Sequence, residues 1–197
     1  MAPEIDHLIK IFSFLPGLGE RSARRIVLHL LSQKQAKMEP LAGAVQQVLS
    51  KVDKCRLCGN LDTSTPICSI CKDQSRDHQC LCVVENVSDL WAIERTKSYE
   101  GMYFVLGGTL SAIDGIGPGE LRINVLTQQC EDNRYAEVIL ALSSTLNGQT
   151  TTHYLREHLT PIVPKVTELA RGVPIGGELD YLDDGTLITA LAARSGL

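Results

Sequence analysis

The chain has 197 residues, 44% of them hydrophobic, and its 19 basic against 23 acidic side chains leave a formal net charge of −4. That balance suits a compact soluble protein of one or two domains. No apolar run approaches membrane-spanning length, and Glu4 and Asp6 stand where a signal peptide would be basic, so a reducing, cytosolic setting without membrane attachment is expected.

The charge is split along the chain. Residues 1–78 carry 11 lysines and arginines against 8 acids, and residues 79–197 carry 8 against 15. A mildly basic front half suits nucleic acid and an acidic back half suits basic partners, although two ordinary solvated surfaces give the same numbers. At the N-terminus, Ile5, Leu8, Ile9 and Phe12 recur at helical spacing. Leu15-Pro-Gly-Leu-Gly19 then breaks the helix, and Ala23, Ile26, Val27, Leu30 and Leu31 mark a second one. Such a hairpin offers main-chain N–H groups to a phosphate where the second helix begins. Gly17 and Gly19 keep that surface bare, and Arg21, Arg24 and Arg25 add cations that need not read sequence. A hairpin used only for packing or dimerisation, with the arginines as a solvated edge, fits the pattern equally. Leu41, Ala44, Val45, Val48, Leu49 and Val52 predict a further helix over 41–52.

Next come two C-x-x-C pairs, Cys55/Cys58 and Cys68/Cys71, joined by a short loop. Each pair aims two sulfurs at one centre, and four thiolates at this spacing make a closed, tetrahedral structural zinc site with one Zn²⁺ per chain. Gly59 relaxes the backbone after the first turn. Two disulfides are the alternative. An odd total of seven cysteines and a reducing compartment argue against them, leaving Cys80, Cys82 and Cys130 reduced and packed, with Cys80 and Cys82 as conceivable substitute ligands.

From Leu81 the texture changes. Residues 81–84, 103–106 and 138–142 read as buried strands and 166–170 as a weaker one. Helices fall between them: one capped by Ser88 and Asp89, an ambiguous one over 120–130, and one around 151–158. This alternation predicts an α/β layer with a mostly parallel sheet, whose functional residues gather beyond the C-terminal strand ends. Glu85 and Asp89 occupy such a place. As a pair they can hold Mg²⁺ or exchange protons; otherwise Asp89 caps its helix and Glu85 is a solvated acid. The glycine-rich run 114–119 lacks a phosphate-binding fingerprint and reads as a flexible loop. Residues 176–184 read as a turn and edge strand before a final helix capped near Asp184, with Leu187, Ile188 and Leu191 facing a core or a neighbouring subunit. None of the five histidines sits in a recognisable nucleophile-and-base arrangement, so no catalytic residue is expected.

The order of Leu15–Gly19, the four cysteines, Val83-Val-Glu85, Tyr99–Tyr103, Asp114–Pro118, Thr145–Gly148 and Gly176–Tyr181 resembles the bacterial recombination-mediator family RecR over nearly the whole chain. The resemblance implies a multidomain α+β fold: a helix-hairpin-helix domain over 1–54, a zinc finger over 55–78, a Toprim domain over 79–165 and a C-terminal assembly segment over 166–197. It also implies a homotetrameric ring that encircles DNA at single- and double-stranded junctions without reading sequence. Arg21 and Arg25 fall at the family's DNA-contact positions, RecO and RecF are implied partners, and the implied task is loading RecA at gaps. In catalytic Toprim enzymes an Asp-x-Asp motif falls where this chain has Ser143 and Thr145, and two glutamates common in RecR proteins are replaced by Asn147 and Gln149. No nuclease, topoisomerase or primase activity is expected, and Glu85 and Asp89 remain as the acids for partner binding. A Mg²⁺-dependent Toprim enzyme, or a zinc-ribbon module without a ring, are the rival readings.

Overall fold

In the computed structural model, Pro3 opens α1 (Pro3–Ser13) at a first-turn position where its missing N–H breaks no helical bond. The structure describes residues 2–64, 66–170 and 172–193, which divide into two units between Val52 and Asp53. In the first unit, Ile5, Leu8, Ile9 and Phe12 pack against Ala23, Val27 and Leu31 of α2 (Glu20–Ser32), the two stripes anticipated from periodicity. The link is a type II turn. Leu18 N–H donates to the Leu15 carbonyl at 3.0 Å, Pro16 supplies the second position, and Gly17 holds the third at φ +78°, where a side chain would be strained. A π-helical turn, Lys34–Met38, leads into α3 (Glu39–Lys51). The apolar stripe of α3, with Leu41, Val45, Val48 and Leu49, is exposed.

The second unit begins with a two-residue hairpin, β1 (Asp53–Lys54) against β2 (Leu61–Asp62), followed by the short α4 (Ser69–Lys72). Then follow β3 (Asp77–Val84), α5 (Val87–Thr96), β4 (Gly101–Val105), α6 (Ile123–Asn133), β5 (Glu137–Ala141), α7 (Leu146–Leu159) and β6 (Lys165–Glu168). The sheet has the order β4-β3-β5-β6 and every pairing is parallel. The expected strand at 166–170 is thus hydrogen-bonded into this sheet.

Side chains alternate across the pleat, so each strand feeds two cores. Leu81, Val83, Met102, Phe104, Val138 and Leu140 face a cluster built with Leu126, Cys130, Leu155 and Leu159 of α6 and α7. Cys82, Val84, Tyr103, Val105 and Ala141 face the other side, against Leu90 of α5. Strands covered on both faces explain the near-continuous apolar runs that marked them. The order reverses between β3 and β5, whose ends pair Val84 with Ala141. That reversal is the place where open α/β sheets leave a crevice.

Several boundaries differ from the sequence-based expectations. The helix expected to be capped by Ser88 is capped by Asn86, with Asp89 as the reciprocal member of a capping box. The helix expected around 151–158 starts at Leu146, because Thr145 accepts the Gly148 N–H at 3.1 Å. The ambiguous segment at 120–130 is helix from Ile123. Residues 114–119 are not a slack loop: Ser111 and Ile116 exchange backbone bonds, and the Ser111 hydroxyl meets Asp114 at 2.5 Å. The edge strand expected over 176–184 is a turn at Gly176, φ +82°, and a 3-10 turn at Leu179–Tyr181. With two glycines and Asp180, the segment is poor strand material. Asp183 rather than Asp184 caps α8 (Asp184–Ala192), accepting the Thr186 N–H at 3.0 Å. Ile188 and Leu191 on α8 are exposed, and the end of the expected assembly segment lies outside the described residues.

Candidate functional site

The cysteine centre is assembled by three short elements. Cys55 and Cys58 lie in the turn after β1, where Cys55 N–H donates to the Asn60 carbonyl at 2.7 Å and Gly59 N–H to the Cys55 carbonyl at 2.9 Å. Gly59, expected to relax the backbone after the first turn, takes φ +82°, in the left-handed region that glycine enters without steric cost. Cys68 and Cys71 flank the start of α4. All four sulfurs lie within 4.8 Å of one another, with Cys55–Cys71 at 3.9 Å and Cys58–Cys68 at 3.5 Å. A tetrahedral thiolate site with metal–sulfur bonds of about 2.3 Å has sulfur–sulfur edges of about 3.8 Å, so the donor set fits such an ion. The seven cysteines are free thiols, and Cys80 and Cys82 stand apart from the four.

Two backbone N–H groups already point at sulfur: Asn60 to Cys58 and Cys68 to Cys55, each at 3.4 Å. These donors support thiolate rather than thiol. Among the bare thiols, hydrogen bonding from Cys58 holds Cys68 well below the ordinary thiol range, while the same pairing and burial push Cys58 up. Four such groups cannot all ionise side by side without a cation to offset them. Between the two pairs, Asp62 anchors the loop, accepting Ser64 N–H at 2.9 Å, Ser69 N–H at 2.8 Å and Ser69 Oγ at 2.7 Å. Those donors, led by Ser69 N–H, hold its carboxyl far below the usual carboxylate range.

The sequence reading missed what joins this centre to the α/β layer. Arg122, just before α6, donates from Nη1 to the Val105 carbonyl at 2.9 Å and from Nη2 to the Leu57 carbonyl at 3.1 Å and the Arg56 carbonyl at 3.4 Å. Val105 N–H in turn donates to the Cys58 carbonyl at 2.7 Å. Trp91 on α5 donates Nε1–H to Asn60 Oδ1 at 2.9 Å, and Asn60 is buried. The signals for Arg122 and Trp91 are tertiary, and no local spacing announces them.

In the first unit, Gly17 and Gly19 lie on the open hairpin, where a Cβ placed at either would have no neighbour within 4 Å. Gly19 occupies the N-cap of α2, and among the described residues no side chain caps that helix, which leaves its first-turn N–H groups without a side-chain acceptor there. Arg21, Arg24 and Arg25 are all exposed on the first two turns, and Arg24 lies 3.7 Å from Glu20. The structure therefore brings the five residues to one hairpin and helix start.

At the sheet's carboxyl end, Glu85 follows β3 half-buried, while Asp89 Oδ2 accepts the Asn86 N–H at 2.9 Å in the capping box. Asp89 thus fills the capping role weighed for it. Opposite, after β5, Ser143 Oγ and Thr145 Oγ1 lie 2.8 Å apart and Thr145 caps α7. Gly148 is required there, because a Cβ would collide with the Ser143 carbonyl oxygen. The sites of an Asp-x-Asp pair are therefore taken by hydroxyls engaged in holding a helix start.

Comparison with known proteins follows the same division. A model of the RecR helix-hairpin-helix matches residues 5–49, a Toprim domain model residues 79–170, and a RecR C-terminal model residues 172–195. Recombination protein RecR of Bartonella henselae is 53% identical over 195 residues, covering 99% of this chain and 96% of that protein. The chain belongs to the RecR family. The RecR proteins of Bradyrhizobium sp. strain ORS 278 and Brucella anthropi are 51% and 53% identical, with 98% and 99% of this chain and 96% of each relative covered. For a RecR chain the four-strand parallel layer is its Toprim domain, the hairpin of α1 and α2 is its helix-hairpin-helix, and the four-cysteine cluster sits in the stretch between the two matches. Among the described residues, no helix is long and apolar enough to cross a membrane.

Proposed function

We propose that this chain is a DNA-binding clamp and adaptor in recombinational repair, acting in the cytoplasm at the nucleoid as a homotetrameric ring. The observation that carries the DNA-binding part is the uncapped start of α2, flanked by bare Gly17 and Gly19 and followed by exposed Arg21, Arg24 and Arg25. Uncapped N–H groups and a helix dipole attract a phosphate, and the arginines neutralise its neighbours without reading bases. Binding at junctions of single- and double-stranded DNA then follows backbone geometry rather than sequence. The exposed apolar faces of α3 and α8 supply area that ring assembly buries.

The cysteine centre holds one structural Zn²⁺. Four protein sulfurs at tetrahedral spacing leave no position for a substrate, so the ion organises its loop. The Toprim layer does not catalyse: Glu85 stands at the end of β3, but the facing positions after β5 carry Ser143 and Thr145 in place of carboxylates. Glu85, with Asp89 beside it, serves partner binding instead. As family membership implies, those partners are RecO and RecF, and the joint task is to help load RecA at single-stranded gaps.

Retention on closed circular DNA carrying one gap, compared with the same DNA linearised and with Mg²⁺ present, tests this directly. The expected result is intact DNA, protein held on circles and protein shed from free ends. Equal retention on both forms would mean ordinary surface binding, and metal-dependent strand breaks lost in Glu85→Gln would move the chain into the enzyme class.

A further inference from the structure

Four thiolates around one dication leave a net negative charge, and a centre with Cys55, Cys58 and Cys68 buried needs that charge offset nearby. Arg56 lies within the first C-x-x-C turn and Lys72 directly follows the second, but both are exposed, where water screens them. Arg122 differs from both. Its guanidinium is half-buried, lies 4.4 Å from the centroid of the Phe104 ring, and bonds to the Leu57 and Arg56 carbonyls inside the first cysteine pair; burial works against its charge, and the neighbouring Cys58 and Cys55 sulfurs work in its favour.

Its placement is also geometrically exclusive. The planar fork spans the Val105 carbonyl on one side and the Leu57 and Arg56 carbonyls on the other. A Cβ at Gly59 would collide with Nη1, so the residue behind the first cysteine pair must be glycine for the guanidinium to lie there. The two carbonyls that accept from Nη2 belong to Arg56 and Leu57, the residues between Cys55 and Cys58, so the cation is held against the backbone that carries those two sulfurs. An ammonium could supply the charge but could not reach carbonyls on both sides at once.

We infer that Arg122 is the counter-cation of the tetrathiolate centre and the latch that fixes its first cysteine turn to the end of β4. The inference rests on the zinc reading above. Arg122 is a positioning residue: it touches no ligand atom, and it acts on the metal by lowering the energy of the thiolate charge and by restricting how far the Cys55–Cys58 turn can open. Outer partners of this kind commonly change metal affinity by about 10- to 100-fold.

Two variants separate charge from geometry. Arg122→Lys keeps the cation and loses the fork, and Arg122→Gln keeps amide donors and loses the cation. Zinc content is measured first in the wild type, then release to a chromogenic chelator is timed for all three proteins, and the sulfur-to-metal charge-transfer band is recorded after cobalt substitution. Wild type is expected to hold one equivalent. Arg122→Gln is expected to release it about 10- to 100-fold faster, with the cobalt band moved to longer wavelength, because uncompensated thiolates give up electron density more readily. Arg122→Lys is expected to keep the band near its wild-type position and to release the ion at an intermediate rate. Wild-type release rates in both variants would overturn the inference and leave the zinc reading standing. Equal rates and bands in the two variants would reduce Arg122 to a mechanical clamp and overturn the counter-charge. A wild type without bound zinc would overturn the zinc reading itself.

Discussion

Replacing Arg21 and Arg25 together by alanine tests the proposed DNA face quantitatively. Both side chains are exposed on the first turns of α2, and neither forms an ion pair among the described residues, whereas Arg24 lies against Glu20. Their loss should therefore leave folding within about 0.5 kcal/mol of wild type. If each neutralises one phosphate, two fewer counterions are released on binding, and the slope of log affinity against log salt becomes shallower by about 1.8 on duplex DNA or 1.4 on single strands. Between about 50 and 200 mM salt, a fourfold rise, the wild type should lose about 12-fold more duplex affinity than the double variant, and about 7-fold more on single strands. Fluorescence anisotropy titrations across the salt series give the slopes, and sedimentation confirms that assembly is unchanged. Parallel slopes for the two proteins would refute the phosphate-contact reasoning, whatever their absolute affinities.

Cys58→Ser should release the metal and lower thermal stability before it weakens DNA contact; unchanged metal content and melting would remove the structural role. Chelation of the wild type should alter the emission of Trp91, the chain's one tryptophan, since its Nε1–H is tied through Asn60 to the Cys58 turn, and an unchanged spectrum would mean the tether is independent of the metal. Leu155→Ala, at a fully buried position between α7 and the sheet, should cost about 2 to 5 kcal/mol. Differential scanning calorimetry should read this as a drop of about 4 to 20 °C, at about 2 to 4 °C per kcal/mol. Burial pushes the Cys82 thiol up to about 12 from an ordinary 9.0. The folded state keeps a proton that the unfolded chain releases, so this contribution is whole below about pH 9 and fades as pH rises toward 12. Cys82→Ala should flatten the alkaline part of a denaturation series over that window, and identical alkaline profiles would contradict the assignment.

What the sequence made legible was local. Period-3.6 stripes in α1 and α2, the Pro-Gly turn between them and the paired C-x-x-C spacing are each decided within a few residues. The β3, β4 and β5 runs are readable because both of their faces are covered. The failures also have physical causes. Ser88 has the chemistry of a cap, but Asn86, two residues earlier, completes the reciprocal bonds with Asp89. The segment around Tyr181 alternates enough to suggest a strand, yet among the described residues no strand pairs with it. Arg122 is invisible in the sequence because its partners lie 65 and 66 residues away along the chain, and nothing in the residues beside it foretells a carbonyl from the cysteine turn.

The sheet order has a bearing on how the chain is made. Central β3 pairs on one side with β4 and on the other with β5, so the sheet's first strand cannot be completed until residues near Ala141 have emerged from the ribosome. The hairpin of α1 and α2 closes over neighbouring residues, and the Cys55–Cys71 loop spans only 16. Short closures cost little entropy and form quickly, whereas parallel pairings across long connections are slow. During synthesis the N-terminal hairpin and the cysteine turn can therefore be in place while β3 still waits for its second neighbour, and translation sets the order in which the exposed apolar edge of β3 is sheltered.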